Sequence, residues 1–184
     1  MDPIGLIVLG IIVVIVIWAV AAYNGLVTKR NRVKEAYSQI DVQLKRRASL
    51  IPNLVEAVKG YVKHEKDVLE EVTKARTSLI SASGPAASAK ANDMLSGALK
   101  SLFAVAEAYP TLKANENFKQ LQDELSDTET KVAASRQFYN TNVLDYNTAI
   151  QTVPTSVFAN AFHFLPEEYF KATEEEKADI QVKF

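Results

Sequence analysis

The chain opens on nineteen residues without a charge, Ile4 to Ala22, most of them Ile, Val and Leu. As a helix this run is ~29 Å long, close to the hydrocarbon thickness of a bilayer. Trp18 and Tyr23 stand near its end, where aromatic rings favour the membrane–water boundary. Cations follow the run and Asp2 precedes it, the reverse of a cleaved signal peptide. The pattern therefore predicts a retained transmembrane helix over 4–23, with residues 1–3 outside and everything after Asn24 in the cytoplasm.

Beyond the span the pattern changes to a 4,3 alternation: Val33, Tyr37, Ile40, Leu44, Arg47, Ile51, Leu54, Val58, Tyr61, Glu65, Val68, Val72, Ala75, Leu79. Twelve of these fourteen positions are apolar, the seam of a long helix with polar outer faces. Its phase passes through Pro52 without slipping. That favours one continuous, kinked helix over about 26–80 rather than a restart capped by Ser49. "SASGPAASAKAND" (81–93) reads as a loop. A second helix over about 93–109 presents Leu95, Leu99, Leu102, Ala106 and Tyr109. A third, over about 116–151, carries Phe118, Leu121, Leu125, Thr128, Val132, Ser135, Tyr139, Val143, Tyr146 and Ile150. Asn and Tyr crowd its last turns, which are expected to pack less tightly. Residues 155–184 are expected to form a short helical turn packed by Phe158, Phe162 and Phe164, then a partly mobile charged tail. The predicted fold is all-α: a membrane helix followed by an elongated antiparallel helical bundle, 24–154, built on one very long helix.

Charge adjusts this picture only locally. The formal net charge of −1 provides no field for nucleic acid. Residues 29–47 nevertheless hold seven cations against Glu35 and Asp41. Lys29, Arg30, Arg32 and Lys34 are placed to meet anionic headgroups, at ~1 kcal/mol each near the surface. Lys45, Arg46 and Arg47 lie ~33–36 Å beyond Tyr23 along a straight helix, outside the ~8 Å Debye length. Arg47 falls on the seam itself, where a guanidinium needs a partner. Asp123 or Asp127 of the third helix, or a second subunit, would provide one. Glu65 is the second seam charge.

Candidate chemistry is sparse. With no cysteine and two histidines, thiolate chemistry and Cys-based zinc sites are excluded. "HEKDV" at His64 lacks the second histidine of a zinc-protease helix. Phosphate-cradling glycine loops are absent, and no serine has a plausible activating base. A bundle of this kind is not expected to enclose an apolar pocket. No cofactor, metal or catalytic residue is expected.

"YNGLVTKRNRVKEAYSQIDVQLKRRASLIPNLVEAVKGYVKHE" (23–65), "EAYPTLKANENFKQLQDELSDTE" (107–129) and "RQFYNTNVLDYNTAIQTVP" (136–154) resemble the LemA family of bacterial membrane proteins, as does the end "FKATEEEKADIQVKF". Many relatives have Asp where Ser49 stands. The resemblance implies a short external N-terminus, one span and a soluble antiparallel helical domain, and supplies no agreed activity. It also covers polar residues that a core does not need: Asp41, Gln43, Lys45, Arg46, Asn53, Glu56 and Lys59. With Arg47 these are candidate contacts for a second copy or another protein. The reading is a non-enzymatic membrane-anchored scaffold that self-associates and presents a rod to protein partners. The alternatives are a membrane-organising oligomer acting on lipid through the basic juxtamembrane residues, and an enzyme or ligand sensor.

Overall fold

The computed structural model describes residues 3–62 and 65–171, so His64 and the tail from Ala172 lie outside the described residues. Among the described residues there are six helices and no strand: α1 (Pro3–Lys59), α2 (Lys66–Ser81), α3 (Pro85–Glu107), α4 (Pro110–Lys113), α5 (Glu116–Gln151) and α6 (Thr155–Ala161). They fall into two compact units. The first contains residues up to Ala36 and Phe138–Glu168; the second contains Tyr37–Gln137 and the residues from Tyr169 on.

The second unit is built on the expected seam. Ile40, Leu44, Arg47, Ile51, Leu54 and Val58 are all buried, and Ala48, Val55 and Val62 widen the stripe. α1 runs through Pro52 without restarting. Proline has no N–H, so the carbonyl of Ala48, four residues back, loses its helical donor. Arg76 of α2 replaces that donor, its Nε–H reaching the Ala48 oxygen at 3.0 Å. The chain thus keeps the helix and satisfies the orphaned carbonyl from a neighbouring element.

The same contact corrects the expected helix over 26–80. α1 ends at Lys59, and the amides of Tyr61 and Val62 both return to the Val58 carbonyl, at 2.9 and 3.2 Å. α2 then runs back alongside, bringing Arg76 to Ala48. A hairpin of two helices keeps Val58, Tyr61, Glu65 and Val68 in phase as well as one helix does, so the alternation conceals the turn. Gly60 was the local signal, since glycine is the residue most costly to hold in a helix after proline.

The loop expected over 81–93 contracts to Ala82–Gly84. Gly84 adopts φ 84°, a conformation open to a residue without Cβ. Pro85 then occupies the first turn of α3, where its missing N–H costs nothing. The alanines of this stretch favour helix, and its small side chains permit close packing: Ser88, Ala89, Ala91 and Asn92 are buried. α5 begins where expected, with the Asn115 side-chain oxygen accepting the Phe118 amide at 3.1 Å.

In the first unit, residues Ile4 to Val20 of α1 expose almost every large apolar side chain. That is the surface of a helix whose solvent is lipid rather than water. The last turns of α5, expected to be loose, are tightly packed: Tyr139, Val143, Tyr146 and Ile150 are buried. The cause is the returning chain after α6. The Tyr139 hydroxyl donates to the Glu168 carbonyl at 2.7 Å and the Tyr146 hydroxyl to the Leu165 carbonyl at 2.9 Å. The Asn147 amide both donates to and accepts from the Glu167 backbone, each at 2.9 Å. Part of the charged tail also docks, in the second unit, where Phe170 is buried beneath the Arg136 guanidinium.

Candidate functional site

Arg47 sits where the seam calls for a leucine, and only 1% of it is exposed. Three helices of the second unit meet around its guanidinium. Nη1 donates to Asn92 Oδ1 of α3 at 2.6 Å. Nη2 pairs with Glu129 Oε1 of α5 at 3.3 Å. The Ser96 hydroxyl donates to that same carboxylate oxygen, also at 3.3 Å. Nε has no hydrogen-bond partner among the described residues. Burial pushes the guanidinium below its ordinary pKa, while Glu129 and Asp93 oppose the shift. Arginine stays charged in either case.

Beside Arg47 lies a cavity of about 640 Å³, lined by Asp93, Ser96, Gly97, Leu99, Lys100 and Phe103 of α3 and Gln122, Leu125, Ser126 and Glu129 of α5. Its volume falls in the range of small-molecule sites, against the expectation that the bundle would contain no such space. Its lining includes two cations, Arg47 and Lys100, and two carboxylates, Asp93 and Glu129, together with apolar Leu99, Phe103 and Leu125. The set is suited to holding polar groups by charge and hydrogen bond. Ser96 donates to a carboxylate and, among the described residues, bonds to no imidazole, unlike an activated nucleophile. Among the described residues no cluster of three His, Cys, Asp or Glu could hold a metal.

The other candidate residues divide by use. Arg46 reaches Asp127 of α5 at 3.8 Å, and Lys131 holds the same carboxylate at 2.7 Å. Lys131, and then Arg46, hold the Asp127 carboxyl below its usual pKa. Asp41–Lys45 and Glu56–Lys59 close within α1, each at 2.6 Å. Asn53 is exposed, whereas the Gln43 side-chain oxygen is buried without a partner. In the first unit, Arg30 pairs with Glu167 at 3.4 Å, and Arg32 and Lys34 are exposed. The partner of Arg47 does come from the third long helix, but it is Glu129, with Asn92 beside it. Spacing along one helix cannot identify the acid opposite, because that depends on the register of two others. Desolvation, and then the hydrogen bond that its hydroxyl donates to Glu65, the other seam charge, raise the pKa of the Tyr109 phenol.

Among the described residues, an all-α fold with one helix long and apolar enough to cross a bilayer fits the class of membrane-associated helical proteins. Residues 36–184 match the model of the LemA family; the chain belongs to that family. It is 28% identical over 161 residues to Protein LemA of Metamycoplasma hominis, covering 85% of this chain and 72% of the relative. It is 26% identical over 174 residues to Magnetosome protein MamQ of Magnetospirillum gryphiswaldense, covering 80% of this chain and 64% of that protein. Magnetosome protein MamQ 2 of Paramagnetospirillum magneticum is 27% identical over 175 residues, with 81% and 64% covered. The chain thus spans somewhat under two thirds of the MamQ relatives' length.

Proposed function

We propose that this chain is a non-enzymatic, single-pass scaffold of the bacterial inner membrane that self-associates and offers its outer helical faces to protein partners. The observation that carries this reading is the outer face of α1 in the second unit. Val42 is 59% exposed there, Asn53 is exposed, and the flanking charges pair within their own helix rather than across the fold. Such charges contribute little to stability and are available to specify a partner. Cations follow the span, so the N-terminus lies outside and the helices after Asn24 lie in the cytoplasm.

Arg46 and Arg47 are poor probes of this function, because both hold helices of their own chain together. The test uses Val42→Lys with Asn53→Arg in the full-length protein. Native mass in detergent should drop from oligomer to monomer with helicity unchanged; an unaltered mass would sink the self-association. Protease added to intact cells should spare residues after Asn24, and their digestion would reverse the orientation. The exposed Arg32 and Lys34 favour a second reading, a membrane-organising oligomer. Neutralising Lys29, Arg30, Arg32 and Lys34 together should then abolish liposome deformation without changing native mass.

A further inference from the structure

Between Asp145 and Glu167 the chain contains no Asp, Glu, Lys or Arg. Within that stretch Val153, Val157, Phe162 and Leu165 are 83, 63, 57 and 70% exposed. Side chains of this kind, grouped on one short segment, call for a cover. Other rings of the segment, and one edge of Phe162 itself, rest against the membrane helix. Phe158 meets Trp18 edge-on at 5.1 Å, and Phe162 and Phe164 meet Tyr23 at 5.1 and 5.7 Å. Trp18 lies inside the apolar run, ~6 Å before its last residue, Ala22. The contact therefore sets α6 at the depth of the span's own terminal aromatics.

We propose that residues 153–165 are a second membrane contact, an interfacial wedge that inserts Val157, Phe162 and Leu165 into the headgroup–acyl boundary of the leaflet occupied by Trp18 and Tyr23. A lipid surface is the occupant because the apolar patch adjoins a helix whose exposed Ile17 and Val20 already require lipid. α6 has seven residues, far too few to cross, but an interfacial helix needs only one apolar face. In the non-helical backbone that follows, Tyr146 satisfies the Leu165 carbonyl and Asn147 the amide and carbonyl of Glu167, which lowers the cost of backbone near membrane depth. The first charge after the wedge, Glu167, is held by Arg30 at 3.4 Å. It marks where the chain leaves the apolar zone.

The chain has no cysteine, so single cysteines can be placed without a background. Val157→Cys and Leu165→Cys, with Ile17→Cys and Asn53→Cys as references, would each carry an NBD label. The full-length protein is then reconstituted in phosphatidylcholine–phosphatidylglycerol vesicles. Labels at 157 and 165 should be quenched by acyl-chain doxyl lipid to the extent seen at 17, and shielded from aqueous iodide. Iodide access equal to that at 53 would overturn the wedge. Shielding from iodide without doxyl quenching would overturn it too, in favour of cover by a second copy.

Discussion

The two units invert each other's rules of burial. In the first, large apolar side chains from Ile4 to Val20 face outward. In the second, a guanidinium faces inward with 1% exposure. Each arrangement would be costly in the other's setting. Apolar surface is stable in lipid, where water is absent, whereas a buried ion is stable only with fixed partners on several sides. Arg47 has two, Asn92 and Glu129. The apolar run of the first unit thus depends on what surrounds it, whereas the buried charge of the second depends on internal geometry.

The largest expected effect tests that internal geometry. Arg47→Ala leaves a void and strips the buried Asn92 oxygen of its donor, costing about 2–4 kcal/mol. Arg47→Met also leaves the Asn92 oxygen without its donor but fills most of the space, so it should cost less by the cavity contribution. Urea unfolding of the full chain in detergent gives both values, and equal losses would contradict this account. Next comes the first unit's strap. Asn147→Ala removes both hydrogen bonds to Glu167 and should cost about 1–3 kcal/mol, with raised amide exchange at residues 164–168.

A smaller effect links Pro52 to α2. Arg76→Met should cost about 1 kcal/mol by orphaning the Ala48 carbonyl. Pro52→Ala restores a helical donor to that carbonyl, so the two substitutions together should show clear coupling in a double-mutant cycle. Simple additivity would break the argument. The smallest effect is electrostatic. The folded pKa of Asp127 lies below its unfolded value of about 3.9. Its contribution is therefore complete above that pH and disappears as pH falls through the folded pKa. Asp127→Asn should flatten that acid limb slightly, and less so at high salt.

Much of this was legible along the chain. The uncharged run identified the anchor. The seams of α3 and α5 marked residues that are in fact buried, Leu95, Leu99 and Leu102 in one and Phe118, Leu125 and Val132 in the other. The hairpin at Gly60 was not legible, because periodicity reports the face of a helix and not its continuity. The loop expected at 81–93 misled for a related reason: serine, glycine and proline suit a turn locally, and burial against neighbours adds to the helix preference of the alanines between them. The candidate site was half legible. An arginine on an apolar seam announces a buried partner, but naming Glu129 and Asn92 requires the register of three helices.

By itself, the sequence determined the all-α class, the membrane helix, the family and the anomaly at Arg47, since each rests on the order of polar and apolar residues along one chain. Tertiary structure alone decided where α1 ends, what closes around Arg47, what replaces the hydrogen bond lost at Pro52, and which side of residues 153–165 remains uncovered. Those depend on side chains distant in sequence meeting at a few ångströms, and local pattern carries no record of that distance.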